Sequence, residues 1–287
     1  MPTPSTPTSS KRAFGKAAIW GGAFLLAAIY LFASRPLPLA EGQTAGRTIP
    51  VEKLFRILAA EQVAARTLWT AEIVNPGLQR GMKFDENWRE ADMQAGPLPA
   101  LFLRETATAI QKTQVPLGLF LGSDYPIAQS NLFTGVQAAA FQKMRQTGEP
   151  QFFKATDIGQ QSAMFADHVV AQGCATCHNE HPKSPKTDWK LKDIMGATTW
   201  SYPKDKVTLE EALQVIATLR ASMGVVYDAY LTKVATFDQR PEIGEKWPRD
   251  GYFIPTRKVF LAEFEKRASA HTADRLIHIL DDPTVSH

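Results

Sequence analysis

The only two cysteines of the chain stand three positions apart and are followed at once by a histidine: Cys174-Ala175-Thr176-Cys177-His178. This is the C-x-x-C-H attachment pattern for a c-type haem. Each thiol adds to one vinyl group of the porphyrin, and the two-residue spacer sets their separation. His178 then falls under the iron as proximal ligand. A zinc site would need further ligands at zinc-like spacing, and no third cysteine exists. A redox dithiol belongs beside a βαβ pattern, which is not evident here, and has no use for the adjoining histidine. With both thiols committed to one covalent haem c, no disulfide remains, so packing and the cofactor must hold the fold.

The 287 residues are enough for one large domain or two small ones with real cores. A net charge of +3 is too weak to argue for nucleic acid as a partner. Residues 1–16 read as a disordered cytoplasmic tail, rich in Pro, Ser and Thr at first and ending in Lys11, Arg12 and Lys16. Residues 17–34 follow with no charge before Arg35, at the short end for a membrane span. The basic flank keeps the N-terminus in the cytoplasm. The expectation is a single-pass anchor in a bacterial inner membrane with the body in the periplasm, where c-type haem is attached. A cleavable signal is the rival reading, and Pro38 and Ala40 make a poor cleavage site for it. Residues 35–50, with three prolines and two glycines, read as a linker.

Val51 to about Val74 is a helix by the spacing of Leu54, Phe55, Leu58, Ala65, Leu68 and Trp69, with Asn75-Pro76-Gly77 as its stop. An irregular loop over 79–96 carries Met82, Trp88 and Met93. Pro97-Leu98-Pro99 opens a helix running to about Lys112. Strands are expected over 115–121, 151–156, 162–171 and 193–202, and a helix over 132–146. The tail of the motif, Asn179-Glu180-His181-Pro182-Lys183-Ser184-Pro185-Lys186-Thr187-Asp188-Trp189-Lys190, is a loop stiffened by two prolines. His181, Lys186, Trp189 and Lys190 have the chemistry to meet the pocket and propionates of a buried haem.

The motif with this tail, together with Gly96-Pro97-Leu98-Pro99-Ala100 and the segment 123–131, resembles the PAS-like c-type haem domain family. That family was first described in cyanobacteria and also forms the extracytoplasmic sensing region of histidine kinases, nucleotide cyclases and chemoreceptors. The resemblance covers residues 51–203 and implies an α+β fold: a PAS-like antiparallel sheet flanked by helices, with His178 as proximal ligand. In the cyanobacterial type the distal ligand is a cysteine of the N-terminal helix. Here that helix holds no Cys, Met or His. The sixth position is then left to Met, His, water, another weak ligand or nothing. Met82 and Met93 are candidates on their loop; His168, His181, His271, His278 and Met223 are weaker ones. The signalling relatives continue into a second span and a cytoplasmic output module, which are absent from this sequence.

Residues 204–287 read instead as an α-helical extension. A long helix spans Thr208 to about Phe237, opened by a Thr208/Glu211 capping box, and its stripe is interrupted by Arg220, Asp228 and Lys233. Two shorter helices follow at 256–268 and 272–280. Between them and the long helix lies a loop with Trp247, Tyr252 and Phe253, a candidate interaction surface. Residues 84–109 and 245–270 echo each other: each has a Trp, then Leu-Pro or Ile-Pro, then a helix with Phe and Glu.

The expected function is that of a periplasmic monohaem cytochrome c in electron transfer or redox relay, with a redox partner or a larger membrane complex. The alternative is a haem-based redox or gas (NO, CO, O₂) sensor that signals to a separate partner. A haem enzyme would need distal acid–base residues, which the sequence does not place.

Overall fold

The computed structural model describes residues 48–156, 158–248 and 253–281. The tail at 1–16, the expected anchor at 17–34 and residues 35–47 of the linker lie outside them, as does the side chain of His278. No helix among the described residues is long and apolar enough to cross a membrane.

The body is a mixed α/β fold with small sheets and seven α-helices among the described residues. The last three linker residues form a strand, β1 (Thr48–Pro50). Helix α1 (Val51–Leu68) follows, and its expected apolar residues are all fully buried. The helix does not stop at Asn75-Pro76-Gly77. A π turn (Trp69–Val74) carries it into α2 (Asn75–Gln79). Asn75 N–H bonds to Thr70 O, five residues back, so the wider turn makes room where Pro76 lacks a donor.

The expected loop 79–96 holds two three-residue strands, β2 (Lys83–Asp85) and β3 (Ala95–Pro97), paired in parallel. Three residues are too few for an alternating pattern to declare itself. Helix α3 (Pro99–Gln111), strand β4 (Gly118–Gly122), helix α4 (Gly135–Thr147), and strands β5 (Gln151–Ala155) and β6 (Gln160–His168) come next. The motif itself is helical, in α5 (Gln172–Glu180), and β7 (Ile194–Tyr202) closes the sheet. That sheet is fully antiparallel in the order β4-β7-β6-β5.

The C-terminal part begins with β8 (Lys206–Thr208), which pairs with β1. Thr208 caps α6 (Leu209–Val234) by accepting from Glu211 N–H at 3.1 Å. The Glu211 carboxylate turns back to the Thr208 backbone N–H, as the capping box expects, and also accepts from Tyr202 Oη at 2.5 Å. Strands β9 (Glu242–Gly244) and β10 (Phe253–Pro255) pair in parallel within the expected loop. Trp247 packs on the main core, whereas Tyr252 and the Phe253 side chain lie outside the described residues. The two short helices expected after it are one, α7 (Arg257–Asp281), since 268–272 contains neither Gly nor Pro and buried Thr272 holds the junction.

The main core lies where α1, α3, α6 and α7 meet one face of the sheet. Trp69 is its hub, stacked on Phe102 at 4.5 Å and edge-on to Tyr227, Tyr230 and Phe260. A smaller cluster under α4 holds Phe133, Phe141 and Met144, and a third holds the motif.

Candidate haem site

Strand β6 delivers the chain to the motif. A bulge at Asp167/His168 breaks its register and turns it out of the sheet. The tail returns beside it: Val169 N–H bonds to Asp193 O at 2.9 Å, and Lys192 N–H to Val169 O at 3.0 Å. Lys192 takes φ = 74°, an uncommon conformation for a side-chain-bearing residue, at this reversal. His168 points the same way, its Nδ1 lying 3.1 Å from Lys192 O.

Within α5, Cys174, Cys177 and His178 stand at i, i+3 and i+4, so two thiols and one imidazole share a helix face. Both cysteines are free; Cys177 is exposed and Cys174 half-buried. Partial burial raises the Cys177 thiol above its usual range, helped by Cys174 and by the carboxylates of Glu86, Glu180 and Asp85. Burial, and then neighbouring His181, keeps the His178 imidazole below its ordinary pKa, so it is neutral near pH 7. Neutral imidazole is the form that ligates iron. His178 Nδ1 is buried with no hydrogen-bond partner.

A cluster of Val169, Ala175 and Trp189, with Cys174 and Met195 against it, roots the motif. Asn179 locks the tail to α5: its Nδ2 donates to Trp189 O at 3.0 Å, and its Oδ1 accepts from Trp189 N–H at 2.8 Å. Trp189 is buried with Nε1 unpaired, edge-on to Tyr125 at 6.3 Å. Lys186 pairs with Asp188 and sits 4.8 Å over the Trp189 ring. Lys190 is exposed, and its N–H donates to Asp193 at 2.9 Å. His181 accepts from Lys183 N–H through Nδ1, and its Nε2 lies 3.6 Å from Glu86.

That last contact brings the 82–94 loop to the motif. Met82 packs half-buried against the main core, and Met93 sits half-buried in a turn on Glu90 O. Met223 is fully buried in α6. His271 lines a cleft of about 650 Å³ between α1, β6 and α7, with Ala60, Val63, Phe165 and Arg275. Along α1 this cleft meets only small or β-branched side chains, Arg56 and Gln62.

Sequence reasoning missed Asn179, Glu86 and two buried networks. In the first, Gln62 Nε2 donates to Thr198 Oγ1 at 2.8 Å; Thr198 in turn donates to Asp167 at 3.1 Å, which also pairs with Arg66 at 2.6 Å. In the second, Arg220 grips fully buried Glu61 in a two-pronged pair at 2.5 and 2.8 Å, and Thr272 donates to the same carboxylate at 2.5 Å. Only the Asn179 link was open to sequence reasoning, since Asn179 directly follows the motif. The Glu86–His181 contact and the bonds of Gln62, Arg66 and Glu61 join residues 95 to 211 positions apart, and the Thr198–Asp167 bond makes sense only once Gln62 and Arg66 meet it.

The donor set fits a covalent haem: two unpaired thiols one helical turn apart, a neutral imidazole beside the second, and a buried Nδ1 facing no partner. Residues 51–203 match the family model described as Tll0287-like, a family associated with haem c binding. No curated protein and no solved structure matches the chain. The family match spans more than half of the 287 residues and includes the whole motif with its tail, so the chain belongs to the Tll0287-like family.

Proposed function

We propose that this chain is a monohaem cytochrome c. Cys174 and Cys177 hold the haem covalently and His178 is its proximal ligand. The observation that carries the reading is the shared helix face of two free thiols and a neutral imidazole. When bound, the haem supplies a one-electron iron couple and, where its sixth position is open, a site for a small ligand. The chain's own residues supply the frame. The Asn179–Trp189 clamp fixes the tail against α5, and the Val169/Ala175/Trp189 cluster keeps water from one side of the motif.

The role proposed is electron transfer or redox relay from a PAS-like domain in the periplasm. The anchor at 17–34 tethers the domain to the bacterial inner membrane, and a redox partner or larger membrane complex exchanges electrons with it. The second reading, a redox or gas sensor, is favoured by a specific path. The loop whose Glu86 meets His181 also grips the end of α6: Lys233 Nζ donates to Glu90 O at 2.6 Å, and Gln94 binds Asp238 through two bonds. A movement at the motif would reach α6 through this loop.

Visible absorption of the purified holoprotein, oxidised and reduced, with and without CO, separates the two readings. A low-spin spectrum unmoved by CO supports electron transfer. A high-spin spectrum or a prompt shift with CO supports sensing. A preparation with no covalent haem overturns both.

A further inference from the structure

The C-terminal extension repeats the N-terminal helical unit. A shift of 158 positions relates them: 48 to 206 at the first strand, 51 to 209 at the long helix, and 99 to 257 at the last helix, with only the strand Lys83–Asp85 one residue out of step with Glu242–Gly244. Each unit runs short strand, long helix, parallel pair of three-residue strands, helix. The sequence echo between 84–109 and 245–270 is the second half of this repeat.

The contacts repeat as well. Trp69 shifts to Tyr227 and Phe102 to Phe260. Trp69 stacks on Phe102 at 4.5 Å, and Tyr227 stacks on Phe260 at 3.9 Å. Trp69 Nε1 donates to Pro97 O at 3.2 Å, and Tyr227 Oη donates to Pro255 O at 2.7 Å; Pro97 shifts to Pro255. The units also meet through equivalent parts. Helix α1 packs on α7, and α3 packs on α6. Phe102 is edge-on to its own counterpart Phe260, and Trp69 to its own counterpart Tyr227. Strands β1 and β8 are antiparallel with Ile49 opposite Val207, again a residue facing its own equivalent. Self-equivalent residues face each other in this way across a two-fold axis.

We propose that residues 206–281 are a second copy of the unit 48–111, and that the α1/α3 face is a self-recognition surface filled within the chain by that copy. The haem-bearing sheet, 112–205, is then an insertion between two halves of a pseudo-dimer, and the extension is part of the core instead of a free docking arm. One place breaks the symmetry and selects the partner. Glu61 shifts to Leu219 and Gln62 to Arg220, and Arg220 reaches across to fully buried Glu61. A second first-type unit would offer Gln62 there, with no cation for Glu61, so the pairing favours the fused copy.

The test uses the whole holoprotein in three variants: W69Y, Y227W and the double exchange. Tyr and Trp both carry a donor, so each can reach the carbonyl its counterpart uses. Each single exchange lowers the melting temperature by about 3–5 °C. The proposal expects the double exchange to recover at least half of the combined loss, because each ring enters the site built for its equivalent. A double variant that recovers less than half overturns the equivalence. In a second arm a protease site replaces Pro203-Lys204-Asp205, and the native protein is cut there. Two pieces that still elute together at the uncut mass support the captive copy. Pieces that separate without denaturant overturn it.

Discussion

The helical core and the haem motif are built to opposite specifications. Around Trp69 the core is dense: five aromatic rings lie within 6.4 Å of its own, and the Trp69 and Tyr227 donors end on carbonyls. Around His178 the packing is one small cluster, two thiols are unpaired, and Nδ1 of His178 and Nε1 of Trp189 find no partner. Buried polar atoms in native proteins are nearly always bonded. Trp200 Nε1 and Thr199 Oγ1 in the sheet share that condition, but among the described residues only the motif sets such atoms beside two free thiols in one helix and its tail. The core supplies stability, and the motif is left its chemistry.

The sharpest way to break this contrast is Cys177→Ala, which takes away one of the two proposed thioether attachments. Haem stain on a denaturing gel is expected to fall to a small fraction of the parent, with far-ultraviolet circular dichroism nearly unchanged because the core does not rest on α5. Collapse of the helical signal along with the stain would make the motif a part of the core, against the comparison.

Arg220→Leu strikes the other region. It strands Glu61, which has no exposed surface, with only the Thr272 hydroxyl for company. Removing one partner of a buried ion pair costs ~3–5 kcal/mol, readable as a lower urea midpoint. Haem stain per folded chain should hold. A loss under about 1 kcal/mol would put the pair in the class of solvated ion pairs.

The same contrast explains what could be read from the sequence. The core was legible wherever one helix face repeats its apolar residues, as in Leu54, Phe55, Leu58, Ala65 and Leu68, all buried. The strands β4 to β7 were legible as apolar runs between turn residues. Three features were hidden. The π turn lets α1 run through a proline that normally stops a helix. Strands of three residues are too short to show a period. The Glu61–Arg220 pair joins positions 159 residues apart, and Arg220 looked like an interruption of its stripe. At the site, the motif was legible because its chemistry demands a spacing. The Glu86–His181 contact was not, because it depends on how the 82–94 loop folds back.

A gentler probe of the motif's frame is Asn179→Ala. It removes two hydrogen bonds and leaves Trp189 N–H and C=O without their partner. Each such bond contributes roughly 1 kcal/mol, more if its partner stays dry. Covalent haem should remain, while hydrogen exchange quickens at the Trp189 amide and the tail. Unchanged exchange there would mean that Pro182 and Pro185 alone hold the tail.

The smallest expected effect lies at the seam between the regions, where Tyr202 at the end of the sheet meets Glu211 at the start of α6. Burial works to raise the Glu211 carboxyl, but the Tyr202 hydroxyl and Lys204 outweigh it and hold the carboxyl below its usual range. Tyr202 is raised well above the ordinary phenol range, by burial first and then by its bond to Glu211 and that carboxylate's charge. A carboxylate depressed in the fold contributes stability above its unfolded pKa and loses it as pH falls through the folded value. A phenol raised in the fold contributes below its unfolded pKa and loses it as pH climbs past about 10. The pair therefore stabilises a plateau from above the carboxylate range up to about pH 10. Glu211→Gln keeps an acceptor for Tyr202 but removes the charge. It should lower the melting temperature by about 1–3 °C at pH 7, and the gap should narrow at an acid pH below the carboxyl's lowered range, once the parent's carboxyl is protonated too. A gap of the same size at both pH values would assign the seam to packing, leaving charge with no part in joining sheet to helix.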